Sequence, residues 1–127
     1  INSDILTNLN FNKFFEEFKN SNAHMSVVGV GHNIEVPYAV IESENDIVKS
    51  FKEKPKFIYQ SNAGIYLLKK EILELIPNKK FDSTDLMELI INRDQKLTIY
   101  KHLGYWNDVG RIEDFIKAQV DIKSLNI

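Results

Sequence analysis

The sequence predicts a mixed α/β fold: a layered sheet with flanking helices, forming one domain over residues 1–127. Two observations carry this. Strand-like and helix-like segments alternate along the chain, and neither an internal repeat nor a low-complexity linker interrupts them. A third bears on completeness. The chain opens Ile1-Asn2-Ser3-Asp4, an apolar residue running straight into a polar cluster. That opening reads as the end of a strand whose earlier residues belong to a longer sequence.

The elements follow in order. Asn10 is a ready helix cap, and Phe11, Phe14, Phe15 and Phe18 follow at i, i+3, i+4 and i+7. That spacing is one helical face, which is expected to lie in the core. Ala23 to Val30 is β-branched, ends near Gly31 and Asn33, and reads as a buried strand. Pro37 to Glu42 and Asp46 to Phe51 read as two strands of an antiparallel hairpin, with Glu44-Asn45-Asp46 as its polar turn. Pro55 ends the second strand, and an exposed loop is expected after it. Asn62 to Leu68 is a strong strand in which Gly64 permits close backbone approach. Lys70 to Ile76 is a short helix stopped by Pro77. Ser83-Thr84-Asp85 caps a helix running through Ile91, with Leu86, Leu89 and Ile90 on one face. Leu97–Tyr100 and Tyr105-Trp106 read as strands. Ile112, Phe115, Ile116 and Val120 mark a last amphipathic helix.

Composition excludes several function classes. The net charge of −2 lacks the surplus of Lys and Arg that a general polyanion binder needs. Lys49, Lys52, Lys54 and Lys56 are interleaved with acidic residues, which marks a solvated surface rather than a nucleic-acid groove. With no cysteine, disulfides and thiolate metal sites are absent, and a cytoplasmic location is expected. No apolar run is long enough to span a bilayer, and no signal peptide precedes the first element. Neither nucleic acid nor membrane is therefore an expected partner.

The chemistry concentrates in a few places. Gly104-Tyr105-Trp106-Asn107-Asp108-Val109-Gly110-Arg111 sets one carboxylate among aromatics, glycines and an arginine, just before the last helix. Asp108 is a hard oxygen donor for a cation such as magnesium, though Asp beside Gly also serves plain turns. Asp4, between a strand end and a helix, lies where open α/β sheets bind ligands, or else caps a turn. Glu53-Lys54-Pro55 joins a hydroxyl acceptor to a point charge for phosphate; the same residues would serve as a charged strand end with a proline stop. Asn62 and Gly64 suit the reading of sugar hydroxyls, or a tight turn. His24, His32 and His102 lack ligand-like spacing and read as surface or structural.

Five blocks in chain order sharpen this reading. They are Asn2-Ser3-Asp4, Pro37-Tyr38-Ala39-Val40-Ile41-Glu42, Phe51-Lys52-Glu53-Lys54-Pro55, Asn62-Ala63-Gly64-Ile65-Tyr66 and Gly104-Tyr105-Trp106-Asn107-Asp108-Val109-Gly110. Together they resemble the sugar-1-phosphate nucleotidyltransferases, the nucleoside-diphosphate-sugar pyrophosphorylases. The resemblance implies a Rossmann-like nucleotidyltransferase fold lacking its N-terminal half, with this chain as the C-terminal, sugar-phosphate- and metal-binding portion of the catalytic domain. It implies that Asp4 and Asp108 bind Mg²⁺, and that Lys54 binds the sugar phosphate. It further implies that Tyr38, Ala39, Glu53, Asn62, Ala63 and Gly64 contact the sugar, and that Trp106 stands beside the metal. Ser3 and Ala39 depart from the family's usual glycines, which bears on sugar choice more than on chemistry. The family's phosphate-cradling "G-x-G-T-R-L" loop and its following lysine have no counterpart here.

The resemblance thus implies nucleotide-sugar synthesis from a sugar 1-phosphate and a nucleoside triphosphate, with these residues inactive alone. The alternative is a non-catalytic regulatory or sugar-phosphate-binding subunit. Intact Asp4, Asp108 and Lys54 speak against that, since such proteins are free to lose charged site residues. A sheet edge left without its neighbours invites pairing with another chain, so a homo-oligomer is expected.

Overall fold

The computed structural model describes residues 1–125. The elements are β1 (Ile5–Thr7), α1 (Phe11–Ser21), β2 (Met25–Glu35), β3 (Val40–Glu44), β4 (Ile47–Lys52), β5 (Lys56–Leu68), a 3-10 helix (Lys70–Leu75), α2 (Ser83–Asn92), β6 (Leu97–His102), β7 (Trp106–Asp108) and α3 (Ile112–Asp121). They form two compact units, residues 1–30 with 62–127, and residues 31–61. The mixed α/β expectation holds.

In the larger unit β2 is the central strand of a three-stranded sheet, between β5 and β6. It runs parallel to β6, from Met25 opposite Leu97 to Val30 opposite His102. Side chains alternate across a strand, so Met25 and Val28 point to opposite sheet faces. Each face has its own core. Val28, Ala63 and Ile65 pack with Leu9 and Phe14, the Phe14 ring lying 5.0 Å from that of Tyr100. Met25 packs with Ile72, Leu86 and Ile90. The result is helix, sheet, helix: α1 covers one face, and α2 with the 3-10 helix covers the other.

A second, two-stranded ribbon pairs β1 with β7 antiparallel, with Ile5 opposite Asp108, Leu6 opposite Asn107 and Thr7 opposite Trp106. Buried His102 fastens it, its Nε2 lying 3.0 Å from the Tyr105 carbonyl and 3.3 Å from Thr7 Oγ1. The Nδ1 of His24 accepts from the Lys96 amide at 3.1 Å. Both histidines are structural, as their spacing suggested.

The smaller unit holds the expected hairpin. β3 and β4 pair antiparallel with Glu44 opposite Ile47. Asn45 and Asp46 turn between them at φ 49° and 64°, and two left-handed residues match the twist of a tight hairpin.

Several expectations need correction. Asn10 does cap α1, accepting the Lys13 amide at 2.9 Å. The Phe stripe, however, is only partly core: Phe14 is buried and Phe18 half-buried, while Phe11 and Phe15 are exposed. The stripe is wider than the surface α1 covers. β5 begins at Lys56, directly after Pro55, where the sequence reading has a loop; the Phe57-Ile58-Tyr59 run carries strand character that this reading passed over. β3 starts at Val40, leaving Tyr38 and Ala39 outside any strand. β7 starts at Trp106 rather than Tyr105. The Lys70 segment is a 3-10 helix, and Asp82 is the N-cap of α2. The Asp82 amide donates to the Asp85 carboxylate at 2.9 Å, so Asp85 closes the cap from inside the helix.

Candidate functional site

Three of the sequence blocks are stitched together in the larger unit. The Asn2 amide donates to the Gly64 carbonyl at 2.9 Å. The Val109 amide donates to the Asp4 carbonyl at 2.7 Å. The Trp106 indole Nε1–H donates to the Ala63 carbonyl at 2.9 Å. The Asn2-Ser3-Asp4 segment therefore lies between the Asn62-Ala63-Gly64 strand and the Trp106-Asn107-Asp108 strand, bonded to both.

Gly64 is required there. Its φ is +72°, and a Cβ at this position would meet the Asn2 side chain at 2.7 Å. Any larger residue would be strained at this φ and would make the Asn2 side chain move aside. Asn62 is exposed, and its Oδ1 accepts from the Gly64 amide at 2.9 Å. Ala63 is buried beneath Trp106.

Asp4 and Asp108 are both exposed and come to neighbouring positions at the end of the β1·β7 ribbon. Asp108 stands opposite Ile5, one residue along from Asp4. Asp108 also lines a cleft of about 350 Å³ with Trp106, Asn107, Gly110, Arg111 and Asp114; Asp4 is outside that lining. Arg111 Nε bonds Asp114 Oδ2 at 3.0 Å. The Asp114 carboxylate, and secondarily the Asp108 charge, hold the guanidinium above its ordinary pKa.

Magnesium keeps several waters and accepts one or two protein carboxylates beside phosphate oxygens, so the exposed Asp108 carboxylate lining this cleft is a chemically suitable donor. Among the described residues no group of three or more His, Asp or Glu is placed to hold a metal ion.

The other predicted residues lie in the smaller unit. Tyr38, Ala39, Glu53 and Lys54 are all exposed. Glu53 and Lys54 connect β4 to β5, and the Val36 amide holds the Pro55 carbonyl at 3.1 Å. Lys54 has φ 42°, in the left-handed region that a residue with a Cβ disfavours.

Sequence reasoning placed Asn2, Tyr66 and Asn107 inside the blocks without giving them a role, read Ser83 only as part of a helix cap, and did not single out Asp114. For Tyr66 a signal existed: residues 62, 64 and 66 share one face of a strand. For Ser83 and Asp114 none did, since only the packing of helices α2 and α3 brings them in.

The sequence profile described as nucleotidyl transferase matches residues 1–124. The chain belongs to the nucleotidyl transferase family. It is similar to the glucose-1-phosphate adenylyltransferase of Mycoplasma mobile, at 26% identity over 96% of this chain and 35% of that one. It is also similar to the bifunctional protein GlmU of Methanocaldococcus jannaschii, at 34% identity over 93% of this chain and 29% of that one. Among solved structures, HddC from Yersinia pseudotuberculosis aligns with a TM-score of 0.64 and 26% identity, covering 96% of this chain and 53% of that chain. A Bacillus anthracis chain solved with sucrose shares the fold at a TM-score of 0.68 and 22% identity, over 98% of this chain and 53% of that one. The chain thus spans about a third of the length of these curated relatives, and about half of these solved chains. Among the described residues, no helix is long and apolar enough to cross a membrane.

Proposed function

We propose that the whole protein joins a sugar 1-phosphate to a nucleoside triphosphate, releasing pyrophosphate, and that this chain supplies its sugar-phosphate and metal end. The observation that carries the reading is the stitching of three family blocks, Asn2–Asp4, Asn62–Gly64 and Trp106–Asp108, by backbone and indole hydrogen bonds. The relatives named for sugar-1-phosphate adenylyl transfer support it.

In this reaction a phosphate oxygen of the sugar phosphate attacks the α-phosphorus in line, and pyrophosphate leaves. No protein nucleophile takes part, so the protein positions reactants and neutralises charge. Asp4 and Asp108 would hold magnesium, which when bound supplies positive charge to the phosphates. Lys54 offers an ammonium to the sugar phosphate. Glu53 accepts from sugar hydroxyls, and Tyr38 and Ala39 flank the sugar. Asn62, with Ala63 and Gly64 behind it, reads the ring. Trp106 holds the Asn62–Gly64 strand against Asp108 through Ala63. Residues 1–127 alone are expected to bind sugar phosphate weakly and to turn nothing over.

The test is pyrophosphate release from the whole protein across a panel of sugar 1-phosphates and nucleoside triphosphates, with and without magnesium. Metal-dependent release by the wild type, abolished in Asp108→Asn, is expected. Asp108 is exposed, so the variant should fold normally. Undiminished release by Asp108→Asn, or release independent of metal, overturns the reading.

A further inference from the structure

The Asn62 side chain is not free to turn. Its Oδ1 accepts from the Gly64 amide at 2.9 Å, and its Nδ2 donates to the Tyr66 hydroxyl at 2.8 Å. The Tyr66 hydroxyl lies 2.9 Å from Ser83 Oγ, on the first residue of α2. A backbone N–H can only donate, so the Gly64 bond fixes which end of the amide is oxygen. Nδ2 then faces Tyr66 and must donate to it. The Tyr66 hydroxyl and Ser83 Oγ share a further hydrogen bond, in which either can donate, so the chain of bonds runs from Gly64 through Asn62 and Tyr66 to Ser83.

Two bonds leave the amide with one N–H and one oxygen lone pair. A sugar hydroxyl, itself one donor and two acceptors, is matched by that pair. Asn62 is exposed and held at both ends, so without the Tyr66 hydroxyl the amide would swing on the Gly64 bond alone and its Nδ2 would lose its fixed direction.

We propose that Tyr66 and Ser83 are positioning residues: they lock the Asn62 amide in the orientation that reads one hydroxyl of the sugar phosphate, and so make α2 part of sugar selection. This rests on the sugar-phosphate reading above. Tyr66 also packs its ring against the Met25 core cluster, which holds the hydroxyl in place from below. Only the hydroxyl is needed for the lock, so Tyr66→Phe separates the lock from the packing.

Two measurements test this. The first needs no substrate. The side-chain amide protons of Asn62, followed by nuclear magnetic resonance, should be displaced from the shifts of a free carboxamide in the wild type, the proton bonded to Tyr66 exchanging slowly with water. In Tyr66→Phe those signals should move toward the free shifts and exchange faster with water, with a smaller change in Ser83→Ala. Unchanged Asn62 signals in Tyr66→Phe overturn the lock, whatever the protein's activity. The second is kinetic, on the whole protein. Tyr66→Phe should raise KM for the sugar 1-phosphate about fivefold, the scale of one neutral hydrogen bond. The nucleotide KM and kcat should stay within about twofold. An equal loss for both substrates, together with a lowered melting temperature, would make Tyr66 structural only and overturn the positioning role. If the wild type turns over no sugar phosphate, the proposed reaction fails, while the resonance result still decides whether Tyr66 and Ser83 lock Asn62.

Discussion

Lys54 and Gly64 both sit at positive φ, and for opposite reasons. Gly64, at +72°, is the residue the backbone asks for, because a side chain there would strike Asn2. Lys54, at 42°, is a residue the backbone does not ask for. A side chain held in the left-handed region costs roughly 1–2 kcal/mol, and such cost persists where function demands the side chain. Lys54→Gly is therefore expected to raise stability by about 1 kcal/mol. Under the proposed function it should also lower turnover of the whole protein by roughly one to two decades, since a charge-assisted contact is lost. Chemical denaturation beside a rate measurement checks both signs. A Lys54→Gly variant that is less stable, or as active as wild type, contradicts the argument.

The elements show where periodicity informs and where it stops. Helical spacing marks α1, α2 and α3 in the sequence, whereas the two cores on opposite faces of β2 and β5 emerge only in the structure. Spacing alone could not say how wide a face is buried. On α1, Phe14 is 1% exposed and Phe15 is 51% exposed, though both belong to the same apolar stripe. Phe14→Ala should cost about 3–5 kcal/mol, from lost transfer energy and the cavity left against Tyr100. Phe15→Ala should change stability by no more than about 0.5 kcal/mol. Urea unfolding of the two variants separates them, and equal losses would mean that α1 packs differently. The misread start of β5 has a similar origin. Phe57, Ile58 and Tyr59 are strand-favouring, but they form a continuous run without apolar–polar alternation and Pro55 precedes them, so the period-two signal of a half-buried strand is missing.

At the scale of the molecule, the candidate residues stand out in the sequence only through the order of their blocks, because each block alone would equally serve a turn or a strand end. The contacts that join them were not legible. Nothing in the spacing of Asn2, Ala63 and Trp106 states that the first bonds Gly64 or that the third bonds Ala63; those bonds exist only once β1, β5 and β7 have met. The same assembly leaves much apolar surface in water. On α3 only Ala118 is buried, while Ile112, Phe115, Ile116 and Val120 are each more than half exposed. Leu6, Val109, Phe115, Ala118 and Ile122 line an apolar groove of about 260 Å³ beside them. Contiguous apolar faces of this kind drive association in water. A chain of 14.8 kDa bearing this face is expected to self-associate. Light scattering should give a mass above the monomer that rises with concentration. Ile116→Glu should return it to the monomer with its circular dichroism unchanged, because Ile116 is 56% exposed and contributes little to the chain's own core. A wild-type mass fixed at the monomer across the concentration range would show that this face stays unpaired between copies.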